Sequence, residues 1–347
     1  MLTTNENDFA IQQERQIEPE VSVVIPAYNA AAFIARAIDS ALSQTLKNIE
    51  VLVVDDASKD NTSDIVRSFD DPRVRLLINQ QNLGAAGARN RALQEARGEW
   101  VAVLDADDWY APQRLQRLLQ VARAHEADMV ADDMQLIVDG QDTPWSTWMR
   151  ESGVLWNEPR HIESHYLIDT NVLGQQTLKI GLSKPIFSRK LLSQYEIQYD
   201  PFVKVSQDFW LDFDCLLNGA RFILVPEPYY YYRAHGASLV HTVDLTDYLS
   251  RECQKALNYL NDRSFREKHP RVAKALSNKY KRDLKMQRYY TVVTAIRKRD
   301  WLTAIAQILR TPYVLLQFLS RMKGIFSRRY NYYIKKDKMT FEVSLYN

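Results

Sequence analysis

The chain has 347 residues, enough for one large domain or two, with 46% apolar and 25% charged residues and a net charge of +2. This is the composition of a soluble globular protein, and its near-neutral charge gives no electrostatic reason to expect nucleic acid as a partner. The two cysteines, Cys215 and Cys253, lack metal-type spacing and read as reduced thiols of an intracellular protein. No apolar run reaches the ~18 residues of a membrane span, and the polar residues 1–20 read as a disordered tail rather than a signal peptide.

Residues 21–26 are a β-branched run and predict a strand stopped by Pro26. Over 30–46, apolar residues recur at Phe33, Ile34, Ala37, Ile38, Ala41 and Leu42, a helical spacing. Residues 49–54 predict a second strand that runs into Asp55-Asp56-Ala57-Ser58, and a helix opens at Ser63. Residues 74–78 form a third strand, and the small-residue loop 82–90 turns into a helix over 88–96 that Gly98 ends. Residues 100–104 are a fourth strand leading into Asp105-Ala106-Asp107-Asp108. Strands alternating with helices in this way predict an α/β fold with a mostly parallel central sheet flanked by helices. Beyond it, the pattern predicts a helix over 112–124 and a strand over 129–131. Asp132-Asp133 follows as a solvated or structural pair. The pattern weakens over 136–181, where His161 and His165 lack a third metal ligand and read as ordinary. A short helix over 189–195 and an amphipathic helix from 206 to about 219 come next. A strand over 221–228 then leads into Tyr229 to Tyr232, which read as sheet packing.

Two predicted strands end in acidic pairs, and parallel strands put those ends on one edge of the sheet, where open α/β sheets bind their ligands. Asp55, Asp56, Asp105 and Asp107 are therefore candidates for one pocket. Three carboxylates crowded into Asp105–Asp108 are either a site for a hard cation, Mg²⁺ or Mn²⁺, or a helix start in which Asp108 is the cap. Asp55-Asp56-Ala57-Ser58 is either part of that site or an Asx turn. Tyr28 either packs or offers a platform for a planar base. Arg89 and Arg91 are either solvated or reach a carboxylate or phosphate. Gly84 and Gly87 match neither dinucleotide-binding nor P-loop spacing.

Four ordered motifs resemble glycosyltransferase family 2: Val23-Val24-Ile25-Pro26-Ala27-Tyr28-Asn29, Val53-Val54-Asp55-Asp56-Ala57-Ser58-Lys59-Asp60-Asn61-Thr62, Asn82-Leu83-Gly84 with Ala88-Arg89-Asn90, and Leu104-Asp105-Ala106-Asp107-Asp108. The resemblance covers about residues 21–135 and returns over 207–241. Within the family, the chain looks most like bacterial enzymes that assemble exopolysaccharide repeat units of the succinoglycan type. The resemblance implies the GT-A fold, a nucleotide-sugar donor and a divalent metal, Mg²⁺ or Mn²⁺. It implies that Pro26, Ala27 and Tyr28 line the base pocket and that Asp56 holds a base N–H. Asp105 would hold the ribose or support the metal shell. Asp107 would bind the metal, and Arg89 and Arg233 would face the donor. His235 would contact metal or phosphate, the alternative being an ordinary loop histidine. The family's general base normally follows a glutamate; here the pair is Gln207-Asp208, so Asp208 takes the base role while the glutamate's acceptor-positioning role is in doubt.

The expected reaction is metal-dependent, inverting transfer of a hexose, glucose from UDP-glucose, to a growing and lipid-linked saccharide. The rival readings are a degenerate nucleotide-sugar-binding protein without turnover and a sugar nucleotidyltransferase. The expected domains are a catalytic domain over 21–241, with a nucleotide-sugar half to 135, and a helical, basic extension over 242–347. The extension carries an apolar face from Leu302 to Leu319, then basic residues from Arg321 to Lys338 interleaved with aromatics. This pattern suits either peripheral contact with the cytoplasmic face of an anionic inner membrane or a helix packed on the catalytic domain with a solvated tail.

Overall fold

A computed structural model describes residues 18–172, 177–234 and 244–315. The chain forms two compact units. The first takes residues up to Asp132, then 184–198 and 229–232, and the second takes the remainder.

The first unit is built on one sheet. Its strands are β1 (Val21–Ala27), β2 (Ile49–Asp55), β3 (Val74–Ile78), β4 (Trp100–Val103), β5 (Trp109–Tyr110), the start of β6 (Met129–Val138), β9 (Ile186–Ser188) and the middle of β10 (Phe222–Ala234). The order is β3-β2-β1-β4-β9-β6-β10-β5. The first four are parallel, and β9 joins β4 and β6 antiparallel. β1 and β2 are buried along nearly their whole length, which explains why they read as continuous apolar runs. The helices between the parallel strands are α1 (Ile34–Leu42), α2 (Thr62–Arg67) and α3 (Gly84–Glu95). Pairing starts before the first strand, since the Glu20 N–H donates to Asn48 and the Pro19 and Glu20 carbonyls accept from Glu99 and Trp100. Of the expected tail, residues 1–17 lie outside the described residues.

Several boundaries differ from the sequence pattern. α1 starts at Ile34 because residues 31–33 are a turn tied to the next loop. α3 starts at Gly84 rather than at Ala88, so the small residues form its first turns instead of a preceding loop. Gly84 takes φ +75°, a left-handed conformation that costs glycine little. At Gly98 a side chain would meet the Ser22 backbone N at 2.4 Å, and the Gly98 N–H donates to Ser22 Oγ at 2.8 Å. β6 runs on to Val138, so Asp132 and Asp133 sit within a strand and are buried, not solvated. β10 continues through Pro226 and Pro228 as one strand.

Asp132 explains how a carboxylate survives there. It accepts from Nε and Nη2 of the fully buried Arg114 on α4 (Arg114–Ala124), at 3.0 and 2.7 Å. Arg114 also donates to the Lys184 carbonyl and lies 4.3 Å over the Tyr110 ring. A fork of donors with aromatic faces around it is the setting that suits arginine and not lysine.

In the second unit, the end of β6 pairs with β7 (Ser146–Thr147) and the start of β10 with β8 (Arg160–Ile162). Its helices include α5 (Trp148–Glu151), α6 (Ser164–Thr170), α8 (Gln207–Leu217), α9 (Leu245–Asn261), α10 (Arg263–Lys268), α11 (Pro270–Arg297) and α12 (Trp301–Arg310); α7 (Arg189–Gln194) belongs to the first unit. α9 and α11 pack along each other, and α12 packs on α11. Pro270 begins α11, where its missing N–H costs nothing. No described helix is long and apolar enough to cross a membrane.

Arg114→Met would leave Asp132 buried and unpaired. The expected loss is about 3–5 kcal/mol in urea denaturation, most of it recovered when Asp132→Leu is added.

Candidate functional site

The C-terminal ends of β1, β2 and β4 carry the residues that the motifs single out. After β1, Tyr28 is 47% exposed, so it does not pack in the core, while Ala27 is buried and Pro26 half-buried. The turn after β1 is joined to the turn after β2 by the motif's polar residues. The Asn29 N–H donates to Ser58 Oγ at 2.9 Å, Ala30 N–H to Thr62 Oγ1 at 2.8 Å, and Ala31 N–H to Asp60 Oδ2 at 3.0 Å. Lys59 N–H donates back to the Asn29 side chain at 2.8 Å. Asp55 serves the turn itself, accepting from the Ser58 N–H and the Ser63 hydroxyl.

Asp56 is buried at the mouth of α3. Its Oδ1 accepts from Asn79 Nδ2 at 2.6 Å and the Leu83 N–H at 2.9 Å, and its Oδ2 accepts from the Gly84 N–H at 2.8 Å. It therefore satisfies N–H groups that a helix start leaves without intrahelical partners. A carboxylate offers about four acceptor positions, so three such bonds leave room for one further donor.

Two arginines on α3 divide their work. Arg91 donates to the Ile78 carbonyl and to Asn79, fastening the end of β3. Arg89 is buried, and its Nη2 donates to Asp105 Oδ1 at 2.6 Å. Asp105 also faces Lys184, whose Nζ stands 2.8 Å from Oδ2. Burial disfavours its charge, but Lys184 and Arg89 outweigh burial and hold the Asp105 carboxyl well below the ordinary carboxylate range.

Residues Asp105 to Asp108 form a tight turn closed by the Asp108 N–H on the Asp105 carbonyl at 3.0 Å. Asp108 is not a helix cap. α4 starts at Arg114, its N-cap is Gln113, and the buried Asp108 carboxylate accepts from the Tyr230 hydroxyl at 2.7 Å. The same hydroxyl accepts from the Asp105 N–H at 3.3 Å. Burial, reinforced by the Asp108 and Asp105 carboxylates, raises the Tyr230 phenol well above its ordinary range, so it stays a donor. Asp107, the third residue of the turn, is half-buried.

The described residues contain no cluster of three or more His, Cys, Asp or Glu side chains able to cage a metal. That donor set fits Mg²⁺ or Mn²⁺ in one way, as an ion taking one or two carboxylates and completing its shell with phosphate oxygens and water. His235 lies outside the described residues.

The first unit thus brings together Pro26, Ala27, Tyr28, Asp56, Arg89, Asp105 and Asp107. Asp208 and Arg233 belong to the second unit. Asp208 is half-buried in the first turn of α8, next to buried Gln207, whose Nε2 donates to the Val203 carbonyl at 2.8 Å. Arg233 pairs with Asp139 at 3.2 Å. Further along α8, Asp212 is fully buried, and the half-buried Asp214 accepts from the Tyr259 hydroxyl.

Lys184 is the residue that sequence reasoning missed. It lies 79 positions from Asp105 in sequence, and only the antiparallel entry of β9 beside β4 brings the two together. The one signal was a lysine directly ahead of a strand of buried residues, Ile186-Phe187. The Tyr230 hydroxyl and Asn79 were likewise not assigned to the site.

Comparison with known proteins fits this arrangement. Residues 22–193 match the model of the Glycosyl transferase family 2. The succinoglycan biosynthesis protein ExoO of Rhizobium meliloti is 32% identical over 301 residues, covering 86% of this chain and 83% of ExoO. ExoU of the same organism is 33% identical over 65% of this chain and 66% of its own length. Among solved structures, S. aureus TarS 1–349 in complex with UDP-GlcNAc aligns with a TM-score of 0.58 at 20% identity, covering 84% of this chain and 92% of that one. The mannosyltransferase PcManGT of Pyrobaculum calidifontis, in complex with GDP-Man and Mn²⁺, aligns at 0.55 and 19% identity, covering 92% and 88%. The chain belongs to glycosyltransferase family 2. It is a glycosyltransferase with the GT-A fold, as the motifs implied.

Asp105→Asn should cost about 2 kcal/mol in denaturant unfolding at pH 7, a value reduced from the usual ~3–5 for a buried pair because Asp105 is partly exposed. Because the native carboxyl is depressed, its stabilisation is complete above the unfolded value of about 3.9 and is lost as pH falls toward the native value. The gap between variant and parent should therefore hold from about pH 7 to 5 and narrow below about pH 4.

Proposed function

We propose that this enzyme transfers a hexose, glucose from UDP-glucose, to a lipid-linked saccharide during exopolysaccharide assembly, with inversion at the anomeric carbon. The observation that carries the donor half is the set at the ends of β1, β2 and β4. Exposed Tyr28, Asp56 with acceptor capacity left, and a turn held by Arg89 and Lys184 all stand on one sheet edge. Support for the glucose and the lipid comes from WfgD of Escherichia coli, whose name gives it as a UDP-Glc:α-D-GlcNAc-diphosphoundecaprenol β-1,3-glucosyltransferase. It is 40% identical over 34% of this chain. The relation to ExoO supports the polysaccharide context.

In this reading residues 21–241 are the catalytic portion. Tyr28 stacks on the base, with Pro26 and Ala27 lining its pocket, and Asp56 accepts a base N–H. Asp105, oriented by Arg89 and Lys184, holds the ribose or supports the metal shell. Arg89 and Arg233 supply positive charge toward the donor. Asp107, with His235 from outside the described residues, would hold Mg²⁺ or Mn²⁺, which neutralises the charge that develops on the departing diphosphate. Asp208 removes the proton of the acceptor hydroxyl as that oxygen attacks the anomeric carbon from the side opposite the diphosphate. The C1–O bond to the acceptor forms as the C1–O bond to the diphosphate breaks, giving inversion.

A second observation favours work at the cytoplasmic membrane surface. On α12, Trp301, Leu302, Ile305 and Leu309 are 55–85% exposed, and Arg297, Lys298 and Arg299 just before it are exposed too. Apolar side chains beside cations suit an anionic bilayer. The basic stretch 321–338 lies outside the described residues.

The test is a screen of nucleotide sugars for Mn²⁺- or Mg²⁺-dependent nucleotide release, with a synthetic GlcNAc-diphospho-lipid as acceptor. UDP-glucose should give the fastest release, and Asp107→Ala and Asp208→Asn should each lower kcat by about 100-fold or more. Full activity in Asp208→Asn would sink the base assignment, and calorimetric UDP binding without turnover would favour a degenerate binding protein. Co-sedimentation should capture the protein on vesicles containing phosphatidylglycerol, and Leu302→Glu with Leu309→Glu should release it.

A further inference from the structure

The second unit buries an ionic group that the reaction does not obviously need. Lys279 of α11 is 2% exposed. Its ammonium lies 2.7 Å from Glu252 Oε2 on α9 and 2.6 Å from Asp283 Oδ2 one turn further along α11. Glu252 is fully buried and Asp283 nearly so. Burial pulls the Lys279 ammonium down, but the two carboxylates outweigh it and hold it above its ordinary value. Each buried ion costs several kcal/mol of solvation, and an apolar cluster of similar volume is often as stable. The group therefore calls for an explanation other than stability.

Its free end points to one. The other oxygen of Glu252 accepts the indole N–H of Trp210 at 2.8 Å, and Trp210 stands on α8 two residues after Asp208. The rest of that face of α9 serves the same helix. The Tyr248 hydroxyl meets Ser206 Oγ at 3.0 Å, and Ser206 is the N-cap of α8, held at φ +61°. Lys255 reaches Asp200 at 2.6 Å and lies 5.6 Å over the Trp210 ring. Tyr259 stacks on Trp210, its ring 5.9 Å away and inclined by 5°. Tyr248, Glu252, Lys255 and Tyr259 follow the i, i+4, i+7, i+11 spacing of one helical stripe. That stripe grips α8 on both sides of Asp208 with directional polar contacts. Apolar packing alone would let the helix slide or rotate, whereas a hydrogen bond to an anchored carboxylate fixes its register.

We infer that the Lys279–Glu252–Asp283 group is a positioning device that sets the first turn of α8, and with it Asp208, from the C-terminal helices. The inference rests on the assignment of Asp208 as general base. Trp210, Glu252 and Lys279 touch no substrate in this account; they act through α8. The C-terminal helices are then part of the catalytic apparatus, independent of any role at a membrane.

Trp210→Phe keeps an aromatic ring and deletes only the indole donor. With UDP-glucose, Mn²⁺ and water as acceptor, UDP release by the full chain should fall at least about tenfold in kcat, on the scale that a ~1 Å misplacement brings. The KM for UDP-glucose and the calorimetric affinity for UDP should stay within about twofold, since uniform binding is untouched. Glu252→Gln, which keeps an acceptor for the indole, should retain more activity than Glu252→Ala. In an Asp208→Asn background, Trp210→Phe should cost nothing further. Amide hydrogen exchange over 206–211 reads the same coupling without a substrate and should quicken in Trp210→Phe. Wild-type kcat in Trp210→Phe, unchanged exchange over 206–211, or an equal further loss in the Asp208→Asn background would overturn the inference. The two assignments separate cleanly. Turnover surviving Asp208→Asn removes the base, whereas its loss there with Trp210→Phe unaffected removes only the positioning device.

Discussion

The sheet edge of the first unit depends on one carboxylate held between two cations. Asp105 ends the central strand β4, and it is fixed from one side by Arg89 on α3 and from the other by Lys184 ahead of β9. Each partner arrives by a different route. Arg89 is delivered by the helix that Asp56 caps, so the acidic end of β2 orients the cation that orients the acidic end of β4. Lys184 is delivered by an antiparallel strand added beside the parallel set. The two cations offset Asp105 and part of the negative charge that Asp107 and Asp108 add to the same turn. Asp108 is buried and accepts from the Tyr230 hydroxyl, whereas Asp105 and Asp107 are both half-buried.

The polar motif after β2 has a plain mechanical meaning. Ser58, Asp60 and Thr62 each accept a backbone N–H from the turn after β1. Loops that meet at a ligand site are usually the mobile part of a fold. Here they are tied to each other, so the turns that carry Tyr28 and Asp56 are fixed within the fold itself. The entropy of ordering them is spent during folding and does not have to be met again on binding.

How much of this was legible follows from the range of each interaction. The parallel strands β1 and β2 were legible because both faces are covered and most of their residues are apolar. Asp56, Asp105 and Asp107 were legible as a group because strand polarity alone puts their ends together. The start of α3 was misplaced because alanine and glycine carry little signal about where a loop stops; a carboxylate 28 residues upstream decides it. Asp132 read as either solvated or structural, and the sequence could not decide because its partner is an arginine on the preceding helix whose burial no local pattern reveals. Lys184 was illegible for the same reason, its role being set by β9 joining β4. Trp210 is buried on α8, and its N–H finds a glutamate 42 positions on, a partner that no local pattern reveals.

Both units solve one problem in the same way. A carboxylate in a turn or at a helix start keeps its place when directional bonds fix its neighbours in the chain. In the first unit the fixing is done by Asp105, Asp108 and Tyr230, whose bonds close the turn that carries Asp107. In the second unit the fixing is done one helical step away, through Trp210 and Ser206 on either side of Asp208. In both places the bonds to the neighbouring residues fix the backbone that carries the carboxylate. The buried charges of α9 and α11 reach the backbone of α8 through the indole N–H of Trp210.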